Sequence, residues 1–138
     1  ASGGSGQPVS NVDALAAHHE GLIALTGGRG GPIDLALRNN QLPQARTRLA
    51  TLARIFGDRL YVEIQRHGGD GDAAVEAHLL NLAYEADLPI VATNEPFFAK
   101  PADYDAHDAL LAVAAGRLVS DGERRRVTPE HYFTSRAE

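Results

Sequence analysis

Leu60-Tyr61-Val62-Glu63-Ile64 is the segment from which the architecture unfolds. Its five positions are rich in aliphatic and aromatic side chains, and the run reads as a strand. Upstream, Ala45, Leu49, Leu52, Ala53 and Phe56 recur at i, i+4, i+7, i+8 and i+11, the spacing of one buried helical face, and Gly57-Asp58 stops that helix. Downstream, the loop His67-Gly68-Gly69-Asp70-Gly71 leads to Asp72, which caps a second strong helix with a core face of Val75, Leu79, Leu82, Ala83 and Ala86.

The same alternation continues outward. Asn11 caps a short helix predicted over Val12 to His19, with Asp13 favourable in its first turn. After Gly21, the compact run Leu22-Ile23-Ala24-Leu25 fits a strand buried on both faces. Thr26-Gly27-Gly28-Arg29-Gly30-Gly31 must be a loop, and Pro32 suits the first position of a helix through Arg38 that ends at Asn39-Asn40. Pro89 to Thr93 is a third strand, followed by a loop from Asn94 to Pro101. A helix over Asp103 to Ala115 carries Ala106, Leu110, Leu111 and Val113 on more than one face, which predicts thorough burial. Thr128-Pro129-Glu130 predicts a short final helix through Tyr132-Phe133. Ala1 to Ser10, rich in Gly and Ser, reads as a linker or loop.

Strands alternating with amphipathic helices imply an α/β fold of parallel βα units. Three strands make part of a barrel or a small open sheet. In either, chemistry belongs at the C-terminal strand ends, here Thr26 to Gly31, Gln65 to Asp70 and Thr93 to Lys100.

Composition narrows the function classes. The chain has 138 residues, 43% apolar and 22% charged, with a net charge of −5. One domain with a real core is expected, and wholesale disorder is not. The apolar runs are too short for a membrane span, and no secretory leader is visible. Mild acidity argues against a free-standing nucleic-acid binder. The absence of cysteine excludes disulfides, thiolate zinc sites and a cysteine nucleophile. A first residue of Ala1 and no methionine lead to the expectation of a processed chain or one cut from something longer.

Several groups invite a chemical reading. The glycine loop lies where a phosphate cradle would, but Ile33 breaks the G-x-G-x-x-G frame and the P-loop Lys is missing, so a structural turn is preferred. Arg29 is left as a possible anion contact in a stand-alone binding module. His18-His19-Glu20 diverge on a helix and read as a solvated face, while His78 beside Leu79 reads as a partly buried packing residue. Glu63, Gln65 and His67 alternate, share one face and offer the best ligand geometry; the preferred reading is a carboxylate and imidazole fixing a loop by hydrogen bonds. Asp105 and His107 point apart on their helix. No G-x-S-x-G elbow occurs. Arg124-Arg125-Arg126, with Arg117 and Arg136, suits phosphate contacts or, given Asp121, Glu123 and Glu130, a mixed solvated surface.

Five blocks carry a family resemblance. Gly21-Leu22-Ile23-Ala24-Leu25-Thr26-Gly27 resembles a "GLI-hydrophobic-L-[ST]-G" strand-loop, and Tyr61 to Gly68 resembles "Y-x-E-[LI]-Q-x-H-G". Leu88 to Asn94 is similar to "LP-[LIV]-VATN", Ala106 to Leu111 to "AHD-x-LL", and Thr128 to Phe133 to "TPEHYF". In this order and spacing they resemble bacterial DNA polymerase III alpha subunits, from about Asn11 to Glu138.

The resemblance implies that 11–138 is the second half of a PHP (polymerase and histidinol phosphatase) domain, part of a distorted seven-stranded, TIM-like β/α barrel. The first half, with its His-x-His metal motif, would precede Ala1. In metal-binding members a Cys follows the glycine matching Gly27, where Gly28 stands here, and an Asp-x-His follows "ATN", where Glu95-Pro96-Phe97 stands here. The resemblance thus implies a degenerate site with no metal expected, leaving Arg29, Glu63, His67 and Glu95 as candidate site-face residues. It further implies a cytoplasmic DNA-directed DNA polymerase whose nucleotidyltransferase chemistry uses magnesium in a palm domain outside this chain, with no catalytic residue or cofactor in this segment. Expected partners are the rest of the alpha subunit, a proofreading exonuclease subunit, and DNA through the parent protein, with no membrane. The alternative is a PHP phosphoesterase or 3′–5′ exonuclease using zinc or manganese.

Overall fold

The computed structural model describes residues 10–68 and 72–135. Five helices alternate with three strands: α1 (Val12–Ala17), β1 (Ala24–Leu25), α2 (Pro32–Arg38), α3 (Leu42–Phe56), β2 (Leu60–Ile64), α4 (Asp72–Glu85), β3 (Ile90–Ala92) and α5 (Tyr104–Ala114). The strands form one parallel sheet in the order β1-β2-β3, with Ala24 opposite Leu60 and Val62 opposite Ile90. The parallel βα class expected from the alternation is present; the sheet has three strands among the described residues.

Local chemistry accounts for the boundaries. Asn11 Oδ1 accepts the Ala14 amide at 2.8 Å and starts α1. Pro32 opens α2 from its first turn. Gly57, at φ +58°, ends α3 in a left-handed conformation that costs glycine nothing and turns the chain into β2.

The core gathers Ile33 and Leu37 of α2, Ala45, Leu49 and Phe56 of α3, and Val75, Leu79 and Leu82 of α4 over Leu60 and Val62 of β2. Alternation along β2 therefore gives Leu60 and Val62 to the helices and turns Tyr61 and Glu63 to the other face.

Four expectations need correction. The run Leu22 to Leu25 is not a strand buried on both faces: only Ala24–Leu25 pairs, and Ile23 is 70% exposed. β1 is an edge strand with β2 on one side, so its apolar residues lack a second cover. The helix after β3 is not thoroughly buried; α5 lies outside the main core, buries Asp108 and Ala112, and leaves Val113 76% exposed. The final helix does not form. Instead, the His131 amide closes a turn onto Thr128 O at 3.2 Å, and Tyr132 pairs in parallel with Phe98. Backbone bonds from Phe97 N to His131 O (2.9 Å) and Phe133 N to Phe98 O (3.0 Å) hold that segment extended against helix propensity. His78 is exposed, because it falls outside the stripe set by Val75, Leu79 and Leu82. The expected linker over 1–10 lies outside the described residues apart from Ser10, as do Gly69 to Gly71 and Arg136.

Candidate functional site

Parallel pairing brings the three C-terminal strand ends side by side. The Thr26 amide donates to Tyr61 O (3.1 Å) and the Thr93 amide to Ile64 O (3.0 Å). The Glu63 amide donates to Thr26 Oγ1 at 2.9 Å. The Glu63 side chain then ties all three ends together. Oε2 accepts the Gly27 amide at 3.0 Å, and Oε1 accepts Gln65 Nε2 at 3.1 Å and the Thr93 hydroxyl. Glu63 is only 7% exposed, and a buried carboxylate is tolerable because donors surround it.

His67, also buried, builds a second tie. Asn94 Nδ2 donates to Glu130 O (3.1 Å) and Tyr132 O (2.6 Å), which turns Asn94 Oδ1 toward His67 Nε2 at 2.7 Å. Asn94 Oδ1 can only accept, while the Glu95 amide points at the same Nε2 from 3.4 Å, so the two contacts call for different tautomers of His67. The His67 ring stacks on His131 at 3.8 Å, and Phe97 packs between His131 (5.5 Å) and His107 (5.6 Å). Burial, with His67 next, pushes the His131 pKa below its ordinary value, while the Thr128 backbone opposes the shift. A neutral His131 accepts the Thr128 amide on Nδ1 at 3.2 Å.

The glycine loop is a structural turn. It forms a short 3₁₀ turn over Gly28–Gly30, and a Cβ on Gly31 would meet Thr26 O at 2.4 Å, so the loop folds back tightly against its own strand. Arg29 reaches Asp72 at 3.5 Å, and Arg38 holds the same Asp72 at 2.6 Å, so both guanidiniums are drawn to one carboxylate. Beneath them is a cavity of about 20 Å³, water-sized, lined by Arg29, Asp34, Arg38, Gln65, His67 and Asp72. Asp34 is 5% exposed, and its Oδ1 has no hydrogen-bond partner. Burial pushes its pKa up to about 6; Arg38 opposes this, and Asp72 and Glu63 add to it.

Glu63 lies in β2 and His67 three residues beyond its end, the first bonded to Gly27, Gln65 and Thr93 and the second to Asn94. Arg29 turns to Asp72 yet lines the same small cavity as His67, and Glu95 is exposed, with its amide 3.4 Å from His67 Nε2. Tested against a metal, the residues do not fit. Glu63 oxygens already accept three donors, His67 Nε2 faces Asn94, and Phe97 presents a ring. Gly28 has no donor side chain. Among the described residues, no three His, Asp or Glu side chains converge to hold one ion.

The remaining candidates are structural. His18 and Glu20 are exposed, while His19 Nδ1 meets Arg59 Nη2 at 2.9 Å and stitches the chain after α1 to the start of β2. His107 stacks near Phe97 and Phe98, and Asp105 is exposed. In the arginine cluster one residue departs from a mixed solvated surface. Arg124 is buried and grips Asp108 of α5, Nη1 to Oδ1 at 2.7 Å, with Arg126 at 3.3 Å, while Arg117 and Arg125 stay exposed. Arg124 holds the Asp108 carboxyl below the usual carboxylate range.

Sequence reasoning placed Thr93 and Asn94 in the third strand-end loop without giving them a role, and missed Asp34 and His131 as parts of this region. Asp34 had a signal: an acid set among Ile33, Ala36 and Leu37, all buried.

Residues 3–67 match the PHP domain family. Over 127 residues the chain is 52% identical to DNA polymerase III subunit alpha of Caulobacter vibrioides, covering 92% of this chain and 11% of that protein. The corresponding subunit of Rickettsia bellii is 38% identical over 124 residues (90% of this chain, 11% of that protein), and that of Thermus aquaticus 33% over 132 (96% and 11%). The chain is thus similar to a segment of bacterial DNA polymerase III alpha subunits, and it spans about a tenth of the length of the curated relatives it matches. Among the described residues, no helix is long and apolar enough to cross a membrane.

Proposed function

We propose that this chain is a segment of the catalytic alpha subunit of a bacterial replicative DNA polymerase, and that it serves DNA replication as a scaffold. The observation that carries the scaffold role is the Glu63 carboxylate, occupied by Gly27, Gln65 and Thr93 at the strand ends where a β/α protein does its chemistry. Nucleotidyl transfer then belongs to a magnesium-dependent palm elsewhere in the cytoplasmic parent polypeptide, which also supplies the contacts to DNA.

Residues 11–138 are read as the second half of a PHP domain whose degenerate site spans Gly28, Glu95 and Phe97. Further strands of a seven-stranded barrel would cover the open edge of β1, where Leu22, Ile23, Leu25, Leu52 and Phe56 line a groove of about 430 Å³. The outer surface is read as docking ground for a proofreading exonuclease subunit.

Primer extension, mismatch excision and elemental analysis of the full-length polypeptide test this proposal together. Extension by the full-length protein, none by the 138-residue chain, and no stoichiometric zinc or manganese are expected. Primer extension by the chain alone would overturn the scaffold role. Stoichiometric zinc or manganese, lost in Glu95→Gln, would instead favour a metal-dependent phosphoesterase or exonuclease.

A further inference from the structure

Gly28 and Gln65 face each other across the ends of β1 and β2. A Cβ on Gly28 would lie 2.3 Å from Gln65 Oε1, 2.6 Å from its Cδ and 2.9 Å from its Nε2. All three separations are inside contact distance, so a side chain at 28 requires the Gln65 amide, the far end of a flexible side chain, to move; the cost of that move lies in the hydrogen bonds it breaks. The amide is also anchored. Its Nε2 donates to Glu63 Oε1 at 3.1 Å and lies 3.2 Å from Thr93 Oγ1. Swinging it aside would remove one of the three donors around a buried carboxylate.

We infer that Gln65 is a plug: its amide fills the space a side chain at position 28 would take and keeps the Glu63 and Thr93 oxygens engaged with protein. The inference rests on the scaffold reading above and adds a cause to it. Position 28 lacks a donor atom and is occupied by an amide whose displacement costs the bond to Glu63, so Gly28→Cys has to unseat Gln65 before its thiol can serve as a ligand.

The chain contains no cysteine, so Gly28→Cys introduces a single thiol. Four proteins are compared by thermal unfolding under reducing conditions: the parent, Gly28→Cys, Gln65→Ala and the double variant. Gly28 sits at φ +49°, a backbone strain common to both backgrounds that cancels in the comparison. The expected result is a Tm loss of several degrees for Gly28→Cys beside Gln65, and a clearly smaller loss beside alanine. Failure of Gly28→Cys to fold with Gln65 but not with alanine is the same result in stronger form. Equal losses in both backgrounds, or failure to fold in both, overturn the plug, because backbone strain would then close the position.

Zinc and manganese are titrated separately into the parent chain by calorimetry. No stoichiometric binding is expected. Binding there would overturn the scaffold reading whatever the Tm comparison shows, and the comparison would still judge Gln65.

Discussion

Replacing Asp34 by asparagine should stabilise the chain above pH 6 and do nearly nothing below pH 4. Asp34 is buried against α4 with one oxygen unpartnered, and its pKa rises from 3.8 to about 6. The folded state therefore holds this proton more tightly than the unfolded state. Stability from the neutral acid is fully present below 3.8 and is lost as pH climbs through about 6. At roughly 1.4 kcal/mol per pH unit, the gap amounts to about 3 kcal/mol at pH 8. Asparagine keeps the shape and never ionises, so it avoids that cost. Urea unfolding of both proteins at half-unit steps from pH 3.5 to 8 measures the difference directly, and background titrations shared by the two cancel. The variant's advantage should open between pH 4 and 6 and then level off. A difference that is flat with pH, or a variant less stable than the parent at pH 8, would refute the assignment of Asp34 as a strained buried acid.

Thr93→Val keeps the β-branched shape but removes the hydroxyl that serves Glu63; a loss of about 1.5–3 kcal/mol is expected in urea titration, with Thr93→Ser near the parent. Asp108→Ala leaves the buried Arg124 without its carboxylate, so the melting temperature should fall, and adding Arg124→Met should recover much of it; no recovery would show that the pair does not act as a unit.

The two helices around β2, and β2 itself, were legible because each is decided locally, by periodicity and by a glycine stop. Glu63 and His67 were legible as neighbours because alternation fixes which residues share a face. Their partners were not. Thr93 and Asn94 reach them only through the register of β3 against β2, which sequence spacing does not encode. The segment after Thr128 carries every local mark of a helix start, yet Phe97 and Phe98, some thirty residues earlier, capture its backbone. Arg124 was not separable from its exposed neighbours because its acid, Asp108, lies on another element, 16 residues before it. β1 and α5 were over-buried in the reading because an apolar run does not declare whether anything covers it.

The Glu63 tie has a consequence in time as well as in space. Its bonds to Gly27 and Thr93 close separations of 36 and 30 residues, whereas α3 and α4 form from contacts a few residues apart. Loops of that span are slow to close, so the helices should form first, and the strand ends, with the carboxylate between them, should close late. An interaction made after the folding barrier acts on the reverse rate. Weakening it at Thr93 should therefore steepen escape from the native state while leaving the rate of folding nearly unchanged, which stopped-flow chevrons would read as a shift of the unfolding limb alone. Glu63 is in this sense a bolt thrown after the door has shut: it governs how long the assembled strand ends last, more than how fast they find one another.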